Sequence, residues 1–162
     1  MRLSVACAVL ACSLGGLLGC GERPAPPPPP EKPSSSWTPR DSQAVAKELM
    51  DTASHAEWAI SFRNHSNRLP RVMVGEITDK SGDHVDIADL TSQLEKELYQ
   101  SQQVGVVKSV DSADFVLKGV INREPVAGGS RFPVDLRLVT TDGDPVWIGG
   151  IERSVAKLPD PQ

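Results

Sequence analysis

A run of five prolines, Pro26–Pro30, separates a short leading segment from the part of the chain that can fold. Proline fixes φ and has no amide donor, so the stretch 22–39 (ERPAPPPPPEKPSSSWTP) can join neither a helix nor a sheet. We interpret residues 20–40 as a disordered, polyproline-type tether. At roughly 3.1 Å per residue it would reach about 60 Å when fully extended. The sequence therefore predicts one globular domain at 41–157 and a short tail at 158–162.

The leading segment predicts export and attachment to a lipid. Arg2 gives a positive start, and residues 5–18 are apolar but too few for a permanent membrane-spanning helix. The three residues before Cys20 resemble the lipobox of bacterial lipoproteins: Leu17, Leu18 and Gly19. That resemblance implies that residues 1–19 are a removable signal peptide and that Cys20 carries the acyl chains. The alternative is a plain signal in which the cysteine is accidental.

The charges and cysteines of the chain exclude several functions. The formal net charge is −4, and acidic and basic residues are interspersed, which is unlike a nucleic-acid binder with its basic stripe. Cys7 and Cys12 lie in the predicted signal peptide, and lipid would block Cys20. The mature domain would therefore have no disulfide, no thiol nucleophile and no cysteine-based metal site.

Hydrophobic periodicity predicts two helices and five strands. The first helix is expected over 42–60 with Asp41 as its N-cap, and the second from the N-cap Asp86 to Gln102. The strands are expected at 71–77, 104–110, 114–122, 131–140 and 146–155. The order is thus α-β-α-β-β-β-β. It predicts an α/β (α+β) fold in which two helices cover one face of a small mixed sheet.

Strand 131–140 alternates clearly between apolar and polar residues. The residues expected to point inward are Phe132, Val134, Leu136 and Leu138. Five polar strand positions form either a solvated sheet face or a partner-binding surface, and both interpretations stay open: Lys118, Arg123, Arg131, Asp135 and Arg137. Trp58 and Trp147 are expected to pack on the domain, and Trp37 either to pack on its edge or to contact a partner.

No catalytic, metal or cofactor site is predicted. His84 is an isolated candidate ligand or base, and we interpret it as a loop histidine, because a metal needs several converging ligands. The segment Gly128-Gly129-Ser130 lacks the lysine and the strand-to-helix context of a phosphate loop, so a turn is expected there. No serine lies in a nucleophile-elbow pattern, which argues against an enzyme.

The motif order along residues 41–157 resembles the LpoB-type lipoproteins, which are outer-membrane activators of bifunctional penicillin-binding proteins. The similar stretches are RVMVGEI (71–77), TDKSGDHVD (78–86), ADFVLKG (113–119) and LRLV (136–139) with Val146-Trp147. The resemblance implies a fold like the N-terminal domain of TolB. It also implies a periplasmic domain on the outer membrane that binds and stimulates a peptidoglycan synthase, with no small-molecule substrate. The alternative is a lipoprotein of an outer-membrane secretion or assembly apparatus with the same fold.

The lipid anchor gives a first testable prediction. Replacement Cys20→Ala should abolish incorporation of radioactive palmitate and release the chain from membranes, because it removes the acylated side chain. Metabolic labelling and membrane fractionation measure both effects. A Cys20→Ala chain that is still matured and retained on membranes would contradict the lipid-anchor interpretation.

Overall fold

The structure, a computed structural model, describes residues 36–156. The helices in this part of the chain are α1 (Pro39–Ser54), α2 (Glu57–Ser66) and α3 (Ile87–Gln100). The strands are β1 (Arg71–Asp79), β2 (Gly105–Val106), β3 (Phe115–Ile121), β4 (Glu124–Val126), β5 (Gly129–Thr140) and β6 (Pro145–Ala156), with a 3₁₀ turn at Val110–Ser112. The predicted fold class, a mixed sheet with helices on one face, is confirmed.

The sheet is parallel at one end and antiparallel at the other. Strand β1 pairs in parallel with β2 and β3, and β3 pairs antiparallel with β5. One side of β5 is shared by β3 and β4, and β6 pairs along the other side. Within the described residues, β2, β4 and β6 each pair with a single strand, so these three are the edge strands.

The core lies between α1, α3 and one face of the sheet. The inward residues of β5 are buried as predicted, and so are Leu90, Leu94 and Leu98 on α3. Burying each such side chain stabilises the fold by about 1.5–3 kcal/mol relative to its exposure. The remaining large members of the core include Val45, Leu49, Met50, Val72, Leu117 and Ile121.

The predicted first helix is two helices in the structure. The chain leaves the helical path after Ser54, and the indole Nε1 of Trp58 donates to the Ala53 carbonyl at 2.8 Å. In an uninterrupted helix, that carbonyl would accept from the amide of Glu57. The indole of Trp58 thus provides a hydrogen-bond donor for a carbonyl at the end of α1, and the chain continues in a second helix, α2. Ile60, the last residue of the predicted first helix, is 39% exposed.

Helix α1 also begins earlier than expected. Its N-cap is Thr38, and Pro39 occupies the first helical position, where its missing amide costs nothing. Asp41 is therefore not the cap but the third helical residue. Its carboxylate accepts from the Thr38 amide at 3.0 Å, which completes a capping box. The folded part accordingly includes residues that the sequence had assigned to the tether.

Two strand predictions differ from the structure. The strand expected at 104–110 pairs with β1 only at Gly105–Val106 and then turns at Val110–Ser112. This turn lets the Asp114 amide donate to the Arg71 carbonyl at 2.8 Å, at the entrance to β3. Strand β4 was not expected, because three residues including a proline give no periodic signal. Gly128, with φ of +81°, makes the predicted turn between β4 and β5.

A half-buried carboxylate, that of Asp114, joins the start of β1 to the start of β3. Asp114 accepts two hydrogen bonds of 2.7 Å from the Arg68 guanidinium and one of 2.9 Å from the Arg71 amide. The hydrogen bonds from Arg68 hold the pKa of the Asp114 carboxyl well below its usual range, although burial opposes this shift. Arg68 also lies over the Phe62 ring at 4.8 Å, so the cluster fixes α2 as well.

Replacement Asp114→Asn should lower the free energy of unfolding at pH 7 by about 1–3 kcal/mol, because charge-assisted hydrogen bonds are lost. A carboxyl whose pKa is lowered by folding stabilises the protein above about pH 4, and this contribution disappears as the pH falls through the folded-state pKa. The difference between the two proteins should therefore shrink in acid. Urea unfolding at pH 7 and below pH 4 measures it.

Asp111→Asn is the matched control, since Asp111 is exposed on the neighbouring 3₁₀ turn. It should change stability by less than about 0.5 kcal/mol. Equal effects of the two replacements would contradict the role assigned to Asp114.

Candidate partner-binding surface

The face of the sheet opposite the helices carries most of the polar residues that the sequence selected. We call it the outer face. Because side chains alternate along a strand, the residues of β5 that lie between the buried ones point to this face. Strand registers extend it across β1, β3 and β6. Its members are Met73, Glu76, Thr78, Val116, Lys118, Val120, Arg131, Asp135, Arg137, Val139 and Ile148.

The structure brings three of the five predicted partner-binding residues together. Lys118, Asp135 and Arg137 line a shallow depression of about 210 Å³ on the outer face. The other residues that line it are Glu76, Thr78, Gly119 and Val120. All three predicted residues are exposed. The depression is open and polar, so its geometry suits contact with another surface better than enclosure of a small molecule.

The other two predicted residues, Arg123 and Arg131, bind carboxylates of their own domain. Arg123 donates through Nη1 to Asp83 Oδ1 at 2.7 Å and through Nε to the buried Ser130 hydroxyl at 2.9 Å. This arginine therefore connects the loop after β1 to the start of β5. Arg131 lies on the outer face, 3.4 Å from Glu152 and 3.8 Å from Glu124.

Lys118 and Arg137 form a direct cross-strand pair of like charge. Neither side chain makes a hydrogen bond or ion pair with any residue between 36 and 156, and neither do the nearby carboxylates of Glu76 and Asp135. Like charges directly opposite each other destabilise an antiparallel pair. This pair therefore weakens the fold slightly and leaves two cations available on the surface.

One end of the outer face is apolar. A second depression, of about 250 Å³, is lined by Met73, Val110, Val116 and Val139 beside the β5–β6 turn. Ile148 lies opposite Arg137 on β6 and is 73% exposed. The outer face thus combines charge with exposed apolar surface.

The carboxylate of Asp79 orders the loop after β1. Asp79 accepts from the amides of Ser81 at 2.8 Å and Val85 at 3.0 Å. Burial alone would raise the pKa of Asp79, but hydrogen bonds from Ser81 and Val85 lower it below its usual value. His84 is exposed, with a left-handed φ of +54°, and residues 36–156 contain no group of three or more side chains placed to hold a metal.

The three tryptophans pack against the domain. Trp37 lies edge-on to Phe132, with 5.5 Å between ring centroids, and its Nε1 donates to the Ser42 hydroxyl at 2.9 Å. The edge-packing interpretation of Trp37 is therefore confirmed. Trp58 packs on Phe115, and Trp147 packs against the core from β6.

The anchor predictions lie outside the described residues. These are the signal peptide at 1–19, the lipobox residues Leu17, Leu18 and Gly19, the lipid-attachment residue Cys20, most of the tether at 20–40, and the tail at 158–162. Among residues 36–156, none of the helices has both the length and the apolar composition needed to cross a bilayer.

A small α+β domain with three helices on one face of a mixed sheet is the fold of solved LpoB structures. The LpoB C-terminal domain from Salmonella enterica is 10% identical to this chain, with a TM-score of 0.52, and the match covers 70% of this chain and 98% of that one. The LpoB C-terminal domain from Escherichia coli is 12% identical, with a TM-score of 0.52, and that match covers 70% of this chain and 98% of the other. The NMR structure of E. coli LpoB is 12% identical, with a TM-score of 0.50, and the match covers 94% of this chain and 83% of that one. At these identities the likeness shows the fold alone.

The family model described as "Peptidoglycan-synthase activator LpoB" matches residues 41–113, which run from α1 to the 3₁₀ turn. The resemblance to the LpoB family that the sequence motifs indicated is thereby confirmed. A comparison with curated protein sequences found no significant match.

The like-charge pair gives a stability prediction. Arg137→Gln should leave the free energy of unfolding unchanged or raise it by up to about 1 kcal/mol, because it removes the repulsion from Lys118. Arg131→Gln, on the same strand and face, should lower it by up to about 1 kcal/mol, because it removes contacts with two glutamates. Urea unfolding at low salt compares the two variants. If Arg137→Gln proved the more damaging, Arg137 would have a structural partner.

Proposed function

We propose that this chain is a lipid-anchored periplasmic activator of a bifunctional penicillin-binding protein, and that it regulates peptidoglycan synthesis by binding. The observation that carries the proposal is the family match over residues 41–113. The shared fold with LpoB structures supports it. In this proposal the lipoprotein performs no chemical step and needs no cofactor.

The anchor is proposed to be the acylated Cys20 in the outer membrane, with the domain facing the periplasm. Because α1 begins at Pro39 and Trp37 packs on the core, the free tether would comprise about 16 residues. At roughly 3.1 Å per residue, its fully extended reach is about 50 Å. The synthase must present its regulatory domain within that distance of the membrane surface plus the width of the lipoprotein domain.

The partner-binding surface is proposed to be the part of the outer face around Lys118, Asp135 and Arg137. These side chains are exposed and have no partners within the described residues, whereas Arg123 and Arg131 contact carboxylates of their own domain. Activation follows if the surface binds the active conformation of the synthase more tightly than the inactive one. Equal affinity for both conformations would leave the equilibrium between them, and therefore the activity of the synthase, unchanged.

A glycan-polymerisation assay tests the function. The purified chain from Gly21 onward, which lacks Cys20, is added to candidate bifunctional synthases from the same cell. We expect the rate to rise at least about twofold with one of them, as a shift from a minority active state allows. A monofunctional glycan polymerase is the control and should not respond.

Failure to stimulate any bifunctional synthase would overturn the proposal. Light scattering on the same protein then addresses the alternative. A closed ring of several copies would favour a component of a secretion or assembly apparatus.

A further inference from the structure

The cations of the sheet region fall into two groups. Five arginines contact at least one carboxylate of the domain: Arg68, Arg71, Arg123, Arg131 and Arg153. Lys118 and Arg137 are the exception on the described strands, although Glu76 and Asp135 line the same depression. Directly opposed residues on antiparallel strands have Cβ atoms about 5 Å apart, so two positive charges are concentrated there.

This cation pair has an apolar neighbour in the same row of the sheet. Ile148 pairs with Arg137 on β6 and is as exposed as any large apolar residue of the described chain, at 73%. Its aliphatic surface would gain about 25 cal/mol for each Å² removed from water. A purely polar ligand, such as a glycan strand, would leave that surface uncovered. The row therefore fits a protein that is both acidic and apolar at the contact.

We infer that the row Lys118–Arg137–Ile148 docks an acidic, apolar patch on the synthase, with a carboxylate of the partner placed between the two cations. This inference rests on the proposed function and names the chemistry of its binding site. One carboxylate has two oxygens, and it can accept from a guanidinium and an ammonium together. A carboxylate bound between Lys118 and Arg137 would offset the repulsion between them. The relief of this repulsion would add to the free energy of binding.

The test measures binding of the Cys20-less chain to the purified synthase by titration at several salt concentrations. The double variant Lys118→Gln/Arg137→Gln should bind at least tenfold more weakly, and its affinity should depend less on salt, because two charge contacts are gone. Lys96→Gln, an exposed lysine on α3, is the control and should bind like the wild type. Thermal unfolding should show that the double variant is at least as stable as the wild type.

The apolar part of the site has its own matched pair. Ile148→Ser should weaken binding by at least fivefold, and Tyr99→Ser should not. Both residues are 73% exposed, but Tyr99 lies on α3. If only Tyr99→Ser weakened binding, the docking surface would lie at α3 and the β2 edge, and the inference would be wrong.

The outcomes separate this inference from the proposed function. If the wild type binds and stimulates the synthase while the double variant does so equally well, the function stands and the docking row is refuted. If the wild type binds no synthase, both fail. Binding of the wild type to isolated peptidoglycan, lost in the double variant, would assign the cations to cell-wall carboxylates and overturn the inference. A concentration-dependent dimer of the wild type, also lost in the double variant, would overturn it in favour of a second copy.

Discussion

The period-two alternation of β5 is the constraint on which most of this domain depends. Along this strand, Phe132, Val134, Leu136 and Leu138 point into the core, and the residues between them point to the outer face. The same strand pairs with β3, β4 and β6, so it holds three of the other five strands of the described sheet. A register slip by one residue would bury Asp135 and Arg137 and expose the core side chains. Both the core and the candidate site are thus fixed by one strand.

The elements that the sequence predicted well are those whose signal is local. The stripes of α1 and α3, the alternation of β5 and the turn at Gly128 each depend on residues within a few positions of one another. The division between α1 and α2 depends instead on the hydrogen bond from the Trp58 indole to the Ala53 carbonyl. The short strand β4 forms only because it pairs with β5. Such features follow from tertiary contacts, which periodicity does not contain.

The candidate site was predicted only in part, again because some of its features depend on tertiary contacts. Alternation places Arg131, Asp135 and Arg137 on one face, but it does not say which cations find carboxylates within the domain. Arg123 meets Asp83, 40 positions away in the chain, and Arg131 meets Glu152 across a hairpin. Ile148 was not selected from the sequence, because an aliphatic residue in a strand is ordinarily buried. Only the register with Arg137 shows that it lies beside the cation pair.

The first described residues of the chain pack on the helix side of the sheet. Trp37 packs on Phe132, which points to the helix side of the sheet, and Asp41 accepts from Arg153 of β6 at 2.7 Å. Burial alone would raise the pKa of Asp41, but hydrogen bonds from Thr38 and Arg153 lower it, so this link is ionic at neutral pH. The chain therefore enters the domain on the layer opposite Lys118 and Arg137. The proposed tether would therefore join the layer that the proposed partner-binding surface does not use, so the two proposals place anchoring and partner binding on different faces of the domain.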